Sequence, residues 1–379
     1  MRFPEFSGEW EKYRLKDIAN ISKERIGINM LSNNNYISTE NMKSDFGGVD
    51  VAINLPASGN VIKFQKGDTL LSNIRPYLKK IWQAKFDGGC SADIFVFRSN
   101  ILCNSDFLYY TLANEKFISY AMSGAKGVKM PRGDKEQILK YELHLPTTIE
   151  QNKITSFLSL LDERIATQIK IIEKLESLIR GLITDVNSGR IAQCKSVYLR
   201  DLLTEQHEKN TNNYEVCSVS VSQGVINQID YLGRSFAAKE VLHYNVVNCG
   251  DIVYTKSPTG EFPYGIVKRS DITKPVAVSP LYGVYRPIND YVGRYLHLYF
   301  KSPINAKNYL HKLIQKGAKN TINITNQHFL DNKILIPEKG WLENIVNFAA
   351  AIEMKIATEN KVLQTLQQQK DYLLSKMFI

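Results

Sequence analysis

Cysteine is scarce in this 379-residue chain and carries no pattern. Cys90, Cys103, Cys194, Cys217 and Cys249 are odd in number, and no two form a CxxC unit. Neither a disulfide framework nor a zinc ribbon follows, and reduced thiols in a cytoplasmic protein are expected. Histidine is equally sparse. His144, His207, His243, His297, His311 and His328 show no HxxH or HxxxH spacing, so no metal site is expected. No run of about 18 apolar residues occurs, so no helical membrane span is expected. The opening stretch, Met1 to Trp10, lacks the apolar segment of a secretory leader.

Signatures of catalysis are missing as well. There is no Asn-Pro-Pro-Tyr or Asp-Pro-Pro-Tyr tetrapeptide, no GxxxxGK[ST] phosphate loop, and no glycine-rich cofactor turn after an early strand. Serines, histidines and aspartates occur outside any nucleophile-elbow context. The nearest nuclease-like pattern is Pro337-Glu338 followed by Glu353-Met354-Lys355, and its second half lies on an amphipathic helical stretch. These absences point to a non-catalytic chain without a cofactor or metal of its own.

What is present is a chain that contains itself twice. Leu15-Lys16-Asp17-Ile18 recurs as Leu199-Arg200-Asp201-Leu202, and Lys66-Gly67-Asp68-Thr69 as Cys249-Gly250-Asp251-Ile252. Val96-Phe97-Arg98 returns as Val284-Tyr285-Arg286, and Phe107-Leu108 as Tyr295-Leu296. Gly124-Ala125-Lys126 returns as Gly317-Ala318-Lys319, and Leu143-His144-Leu145-Pro146 as Ile334-Leu335-Ile336-Pro337. The order is kept and the offset drifts only from 183 to 193, as loop insertions would produce.

Each copy has a globular and a helical part. Residues 1–148 and 195–340 alternate short apolar runs with Gly, Pro and Asn clusters, a pattern of strands and turns. Gly67-Asp68 and Gly250-Asp251 read as tight turns feeding strands, and Phe107–Tyr120 and Tyr291–Gln315 read as helices. Residues 149–194 and 341–379 carry heptad seams. The first runs Ile154, Leu158, Leu161, Ile165, Gln168, Ile172, Leu175, Ile179, Leu182, Val186. The second, 191 residues on, runs Ile345, Ala349, Ile352, Ile356, Glu359, Leu363, Leu366, Lys370, Leu373, Met377. Polar Gln168 and Glu359 fall in register, and Gly189 marks a helix end. The expected fold is α+β: two tandem globular α/β parts, each followed by a long helix. The helices are expected to pair as an antiparallel coiled coil with pseudo-two-fold symmetry, Gln168 and Glu359 meeting near the middle. Packing of each helix on its own globular part is the alternative.

Charge separates the parts. The chain has 48 basic and 38 acidic residues, net +10. Residues 1–148 hold 20 basic against 16 acidic and residues 195–340 hold 18 against 12, while the two helical segments balance at 6 and 6 and at 4 and 4. The excess positive charge therefore lies on the globular parts, as a polyanion reader requires. The candidate contact residues are Arg75, Tyr77, Lys79 and Lys80, then Lys126, Lys129 and Arg132. In the second copy they are Lys256 and Ser257, then Lys319, Asn320, Asn323 and Gln327. Lys and Arg neutralise phosphates, while Arg, Asn and Gln also read base edges. Solvated loops are the competing reading for each stretch.

The order of these features resembles the specificity subunit of type I restriction-modification systems. The residues that carry the resemblance are Arg2-Phe3-Pro4-Glu5-Phe6, Trp10-Glu11, the Leu15 tetrapeptide, the Gly67-Asp68 strand, Gly124-Ala125-Lys126, Leu145-Pro146 and Glu150-Gln151-Asn152-Lys153-Ile154. The second helix opens Trp341-Leu342-Glu343-Asn344, where that last motif is degraded. The resemblance implies two target recognition domains (1–148 and 195–340), each reading one half of a split double-stranded DNA site. It implies that the helices set the gap and dock two methyltransferase subunits, with restriction subunits joining for cleavage. S-adenosylmethionine, ATP and Mg²⁺ would belong to those partners. Apolar helix surface around Phe157, Ile171 and Phe348 would serve the docking. A related system with a fused methyltransferase-nuclease partner, and a standalone DNA-binding scaffold or regulator, remain open.

Overall fold

The computed structural model describes residues 2–232, 240–316 and 322–378. Contacts divide the chain into two compact units: residues 1–169 with 361–379, and residues 170–360.

Unit 1 is built on a four-stranded antiparallel sheet in the order Ala19–Ile21, Ile94–Ser99, Thr69–Ser72, Ile81–Gln83. A ribbon pairs Glu11–Arg14 with Glu142–Leu145. A second sheet orders Arg25–Gly27, Asn60–Phe64, Gly88–Cys90 and Tyr36–Ile37. Unit 2 has a four-stranded sheet in the order Leu203–Glu205, Gly283–Pro287, Ile252–Tyr254, Val267–Arg269, and a ribbon of Cys194–Tyr198 with Lys333–Pro337. Strand order and ribbon recur from one unit to the other at the offsets of the sequence repeat.

The Gly-Asp pairs do the turn work their sequence suggests. Gly67 and Gly250 have φ of 93° and 92°, left-handed values that favour glycine. The Asp68 carboxylate accepts the Gln65 backbone N–H at 2.8 Å, and Asp251 accepts that of Asn248 at 2.8 Å. Each buried aspartate also holds the arginine of the neighbouring strand. Arg98 grips Asp68 with two bonds, of 2.9 and 2.8 Å, and Arg286 donates one to Asp251 at 3.2 Å. The recurrence of Arg98 as Arg286 is thereby explained: each arginine ties the sheet to the turn that feeds its centre.

Two helical readings need correction. Phe107–Tyr120 is not one helix; Ser105–Leu112 and Glu115–Ser123 are separated at Asn114. The Asn114 side chain accepts the Lys116 N–H and donates to the Leu374 carbonyl at 3.0 Å, so it caps one helix and anchors another. Tyr291–Gln315 likewise divides into Asp290–Phe300 and Pro303–His311, because Pro303 has no N–H to continue the first helix and Ser302 caps the second. Gln315–Lys316 is a strand, paired with Ile322–Asn323.

The long helices are Thr148–Asn187 and Lys339–Met377, of 40 and 39 residues. At about 1.5 Å per residue each is about 60 Å long. The first ends at Asn187 rather than 194: Gly189, at φ 72°, turns the chain, with its N–H on the Val186 carbonyl at 3.0 Å. The second begins two residues before 341. Every residue of both heptad seams is buried or half-buried.

Both helices complete cores. In unit 1, Ile154 and Leu158 of the first helix and Leu374, Met377 and Phe378 around the end of the second share a cluster with Phe107, Leu108 and Phe117. Asp162 meets Lys370 at 2.6 Å and accepts the Tyr110 hydroxyl at 2.8 Å. In unit 2, Ile179, Ile183 and Val186 join Ile345, Val346, Ala349 and Ile352 in the cluster of Tyr285, Tyr295 and Phe329. There Lys301 meets Glu353 at 3.3 Å. Both members of that pair lie 191 residues after Tyr110 and Asp162, so the repeat keeps the contact and changes its chemistry.

Replacing Asp68 with Ala removes a buried acceptor and leaves Arg98 with Glu24 as its remaining partner. The expected cost is about 2 kcal/mol in unit 1. Asp251→Ala is expected to cost unit 2 less, because Arg286 is half exposed and makes a single longer bond. Urea unfolding followed by Trp10 and Trp82 fluorescence measures the first; equal costs would contradict the clamp.

Candidate nucleic-acid interface

In unit 1 the strand Thr69–Ser72 delivers the chain into residues 73–80, and backbone bonds stitch that loop to two others. The Arg75 N–H donates to the Pro131 carbonyl at 2.8 Å and the Gly133 N–H to that of Asn73 at 3.1 Å. Lys126 and Arg132 exchange two backbone bonds of 2.9 Å, closing a hairpin whose tip is Gly127-Val128-Lys129-Met130-Pro131. On the other side, the Asp45 and Phe46 N–H groups donate to Leu78 and Lys79, each at 3.0 Å. Two stretches singled out from sequence, 75–80 and 126–132, are thus brought together.

The backbone here is strained. Asp45, Phe46, Arg75 and Lys79 have φ between 52° and 58°, four of the five non-glycine left-handed residues among those described. Each costs on the order of 1 kcal/mol, and such residues cluster where loops are held for function. A Cβ at Gly124, just before the hairpin, would displace the Gln137 side chain, whose Oε1 lies 1.2 Å from that position.

The structure sorts the predicted cations by what they already hold. Lys79 is ion-paired with Glu115 and lies 3.7 Å from Asp45, and the Glu115 bond raises its pKa. Lys80 donates to the Thr39 carbonyl at 2.6 Å, Lys126 meets Asp134 at 2.7 Å, and Arg132 meets Asp93 at 2.9 Å. Arg75 and Lys129 have no partner among the described residues, and Arg75 Nε is buried without an acceptor. Tyr77 is half exposed beside them. Sequence reasoning passed over Val128 and Met130, 100% and 50% exposed at the hairpin tip. Their signal was there: apolar residues threaded between Lys126, Lys129 and Arg132, where a solvated loop would be polar. Apolar tips suit thymine methyl groups or a base step. The strained loop at 45–46 had no sequence signal.

Unit 2 gathers a comparable set. The strand Ile252–Tyr254 leads to Lys256, which is half-buried, with a pKa lowered by burial and partly restored by Glu205. Asn326 donates to Glu205 at 2.8 Å, and its own side-chain oxygen is buried without a donor. Ser257 and Gln327 are exposed. Residues Gln315–Lys316 and Ile322–Asn323 pair as a hairpin, placing the Asn323 backbone opposite Gln315. Lys319 and Asn320 lie outside the described residues.

The helix-opening motif has an internal use. Glu150 is fully buried and receives Arg2 through bonds of 2.7 and 2.6 Å, with Trp10 Nε1 at 3.3 Å. Gln151 donates to the Leu102 and Pro146 carbonyls and accepts the Asn104 N–H, while Lys153 meets Glu5 at 3.2 Å. Arg2-Phe3-Pro4-Glu5-Phe6 and Glu150-Gln151-Asn152-Lys153 are therefore two halves of one lock. Further along, Phe157, Leu160 and Leu161 of the first long helix and Val362, Leu366 and Tyr372 of the second line an open apolar groove within unit 1. In unit 2, Ile171 and Phe348 are exposed.

Among the described residues no group of His, Cys, Asp and Glu is placed to hold a metal, and no helix is long and apolar enough to cross a membrane.

Residues 7–177 match the family model described as the type I restriction modification DNA specificity domain. The type I restriction enzyme EcoDI specificity subunit of Escherichia coli is 22% identical over 188 residues, 49% of this chain and 40% of that protein. The matched stretch thus spans less than half of that relative. A chain solved in work on complex assembly and conformational transition of the type I R-M system superposes with a TM-score of 0.57 at 14% identity, covering 98% of each chain. The type I restriction-modification S subunit from M. genitalium superposes with a TM-score of 0.56 at 13% identity, covering 100% of this chain and 99% of that one. At these identities the two structures speak for the fold.

Replacing Arg75 and Lys129 together with Gln is expected to weaken binding to duplex DNA. It should make the slope of log affinity against log salt shallower by roughly 0.9 per contact, read by anisotropy between about 50 and 200 mM salt. Lys79→Gln and Lys80→Gln should lower stability and leave that slope alone. A slope change as large from Lys79→Gln would contradict the assignment.

Proposed function

We propose that the chain is a type I restriction-modification specificity subunit and a non-catalytic reader of split DNA sites. Each unit reads one half-site. The long helices pair antiparallel, set the gap between the halves and dock two methyltransferase subunits. S-adenosylmethionine is bound by those partners, and ATP and Mg²⁺ by restriction subunits that join the complex; no cofactor is assigned to this chain.

One observation carries the reading. The two units share the strand order of their central sheets, and in each the strand after the Gly-Asp turn leads into a lysine-bearing loop whose sequence differs between the copies. A shared scaffold with divergent loops is what two readers of different sequences need. The pairing is supported inside unit 1 by Asp162 against Lys370 and by Leu158 sharing a cluster with Leu374 and Met377, contacts that run in opposite directions along the two helices. Docking is supported by the apolar residues that remain uncovered on the helices. Phe157 is 41%, Leu160 59%, Tyr372 53% and Phe348 57% exposed.

A matched deletion of one heptad from each helix, 168–174 with 359–365, tests the spacing role. The recognised gap is expected to shorten while both half-site sequences stay the same, as read from the methylation pattern of the assembled enzyme. Altered half-sites with an unchanged gap would contradict it.

A further inference from the structure

Unit 2 buries a lysine that no contact explains. Lys268 is the middle residue of the strand Val267–Arg269 and is only 3% exposed. Its ammonium meets no carboxylate and no hydrogen-bond acceptor among the described residues. The other charges nearby are accounted for: Arg269 holds Asp271 and Asp290, Arg294 holds Asp290 at 2.7 Å, and Lys301 holds Glu353 at 3.3 Å. Taking an ammonium out of water without a counter-charge is costly, so an unpaired one facing a cavity favours an anion as ligand there.

The cavity is there. Lys268, His297 and Lys301 line a space of about 220 Å³ together with Ser222, Gln223 and Gly224. His297 Nδ1 accepts the Arg269 backbone N–H at 3.1 Å, so the neutral ring carries its proton on Nε2 and offers a donor. Burial and the surrounding Lys268, Lys301, Arg269 and Arg294 hold the imidazole neutral, with its pKa lowered to about 3. Burial likewise lowers Lys268, to about 8. In both, burial is the larger cause and the neighbouring cations add to it. Asp271 is the one carboxylate lining this space, and Arg269 occupies it. Glu176 and Glu261 line the adjoining cavity that Lys268 also borders, and neither reaches the ammonium.

We propose that this cavity is a phosphate-binding site in which Lys268 is the principal ligand and Lys301 and the His297 Nε2–H are further donors. The phosphate group belongs either to a small free anion or to a backbone phosphodiester of bound DNA. Only the second source rests on the DNA-reading function.

Thermal unfolding of the full chain in sodium phosphate, against sodium chloride of equal ionic strength, tests the free anion. At about ten times the dissociation constant, phosphate is expected to raise the unfolding temperature by roughly 3–6 °C. Lys268→Met should abolish that increment while unfolding no earlier than wild type in chloride, since it removes an unpaired charge. Lys301→Met, which leaves Lys268 in place, should reduce the increment without abolishing it. The second arm measures DNA affinity against salt: for a phosphodiester ligand, Lys268→Met makes the slope shallower by roughly 0.9. Loss of the phosphate increment with an unchanged slope identifies a free anion, and a changed slope identifies DNA. An unchanged slope together with an equal phosphate response in wild type and Lys268→Met, or with none in either, overturns the proposal.

Discussion

The structure depends above all on apolar helix surface completing globular cores. Neither unit closes its core from its own sheet and short helices. Phe107 is covered by Leu158 and Phe378, residues 220 positions apart in sequence. Tyr295 and Phe329 lie in one cluster with Val186 and Val346. Burial of this kind is the dominant favourable term in folding, so the long helices are structural members of both units and not tethers between them. Polar contacts then fix direction and register. The Arg2–Glu150 lock holds the start of the first helix, and Asp162 with Lys370 orients the last turns of the second.

That arrangement frees the loops. Once the helices, the Gly-Asp turns and the Asp–Arg clamps hold the sheets, residues 73–80 and 126–133 can tolerate strained backbone and unpaired cations. Arg75 illustrates the trade: a left-handed arginine with a buried, unsatisfied Nε is unfavourable in isolation, and the surrounding backbone bonds over-determine it. Lys268 is the same kind of cost placed inside unit 2, where the strand it sits on leaves it no alternative position.

Much of the scaffold was legible in the sequence because its signals are periodic or repeated. The seam from Ile154 to Val186 and its copy 191 residues later are shielded at every position, since a heptad pattern reports burial directly. Gly67-Asp68 was legible because turn chemistry is local. What was not legible depends on partners distant in sequence. Asn114 breaks a helix because it bonds Leu374, and Lys79 and Lys80 are engaged by Glu115 and Thr39. A string of cations shows charge, and only the fold shows which charges are already satisfied. The Glu150-Gln151 motif marked a helix opening; its side chains turn inward to Arg2, Leu102 and Pro146.

The proposed function rests on two independent readers carried by one chain. Its most direct test is to co-express the chain with the proposed methyltransferase partner and to map methylated adenines across the host DNA. The account predicts one split motif: two specified half-sites, on opposite sides of a gap of fixed length and unspecified sequence. Methylation at a single continuous motif, or none from a stable complex, would contradict it.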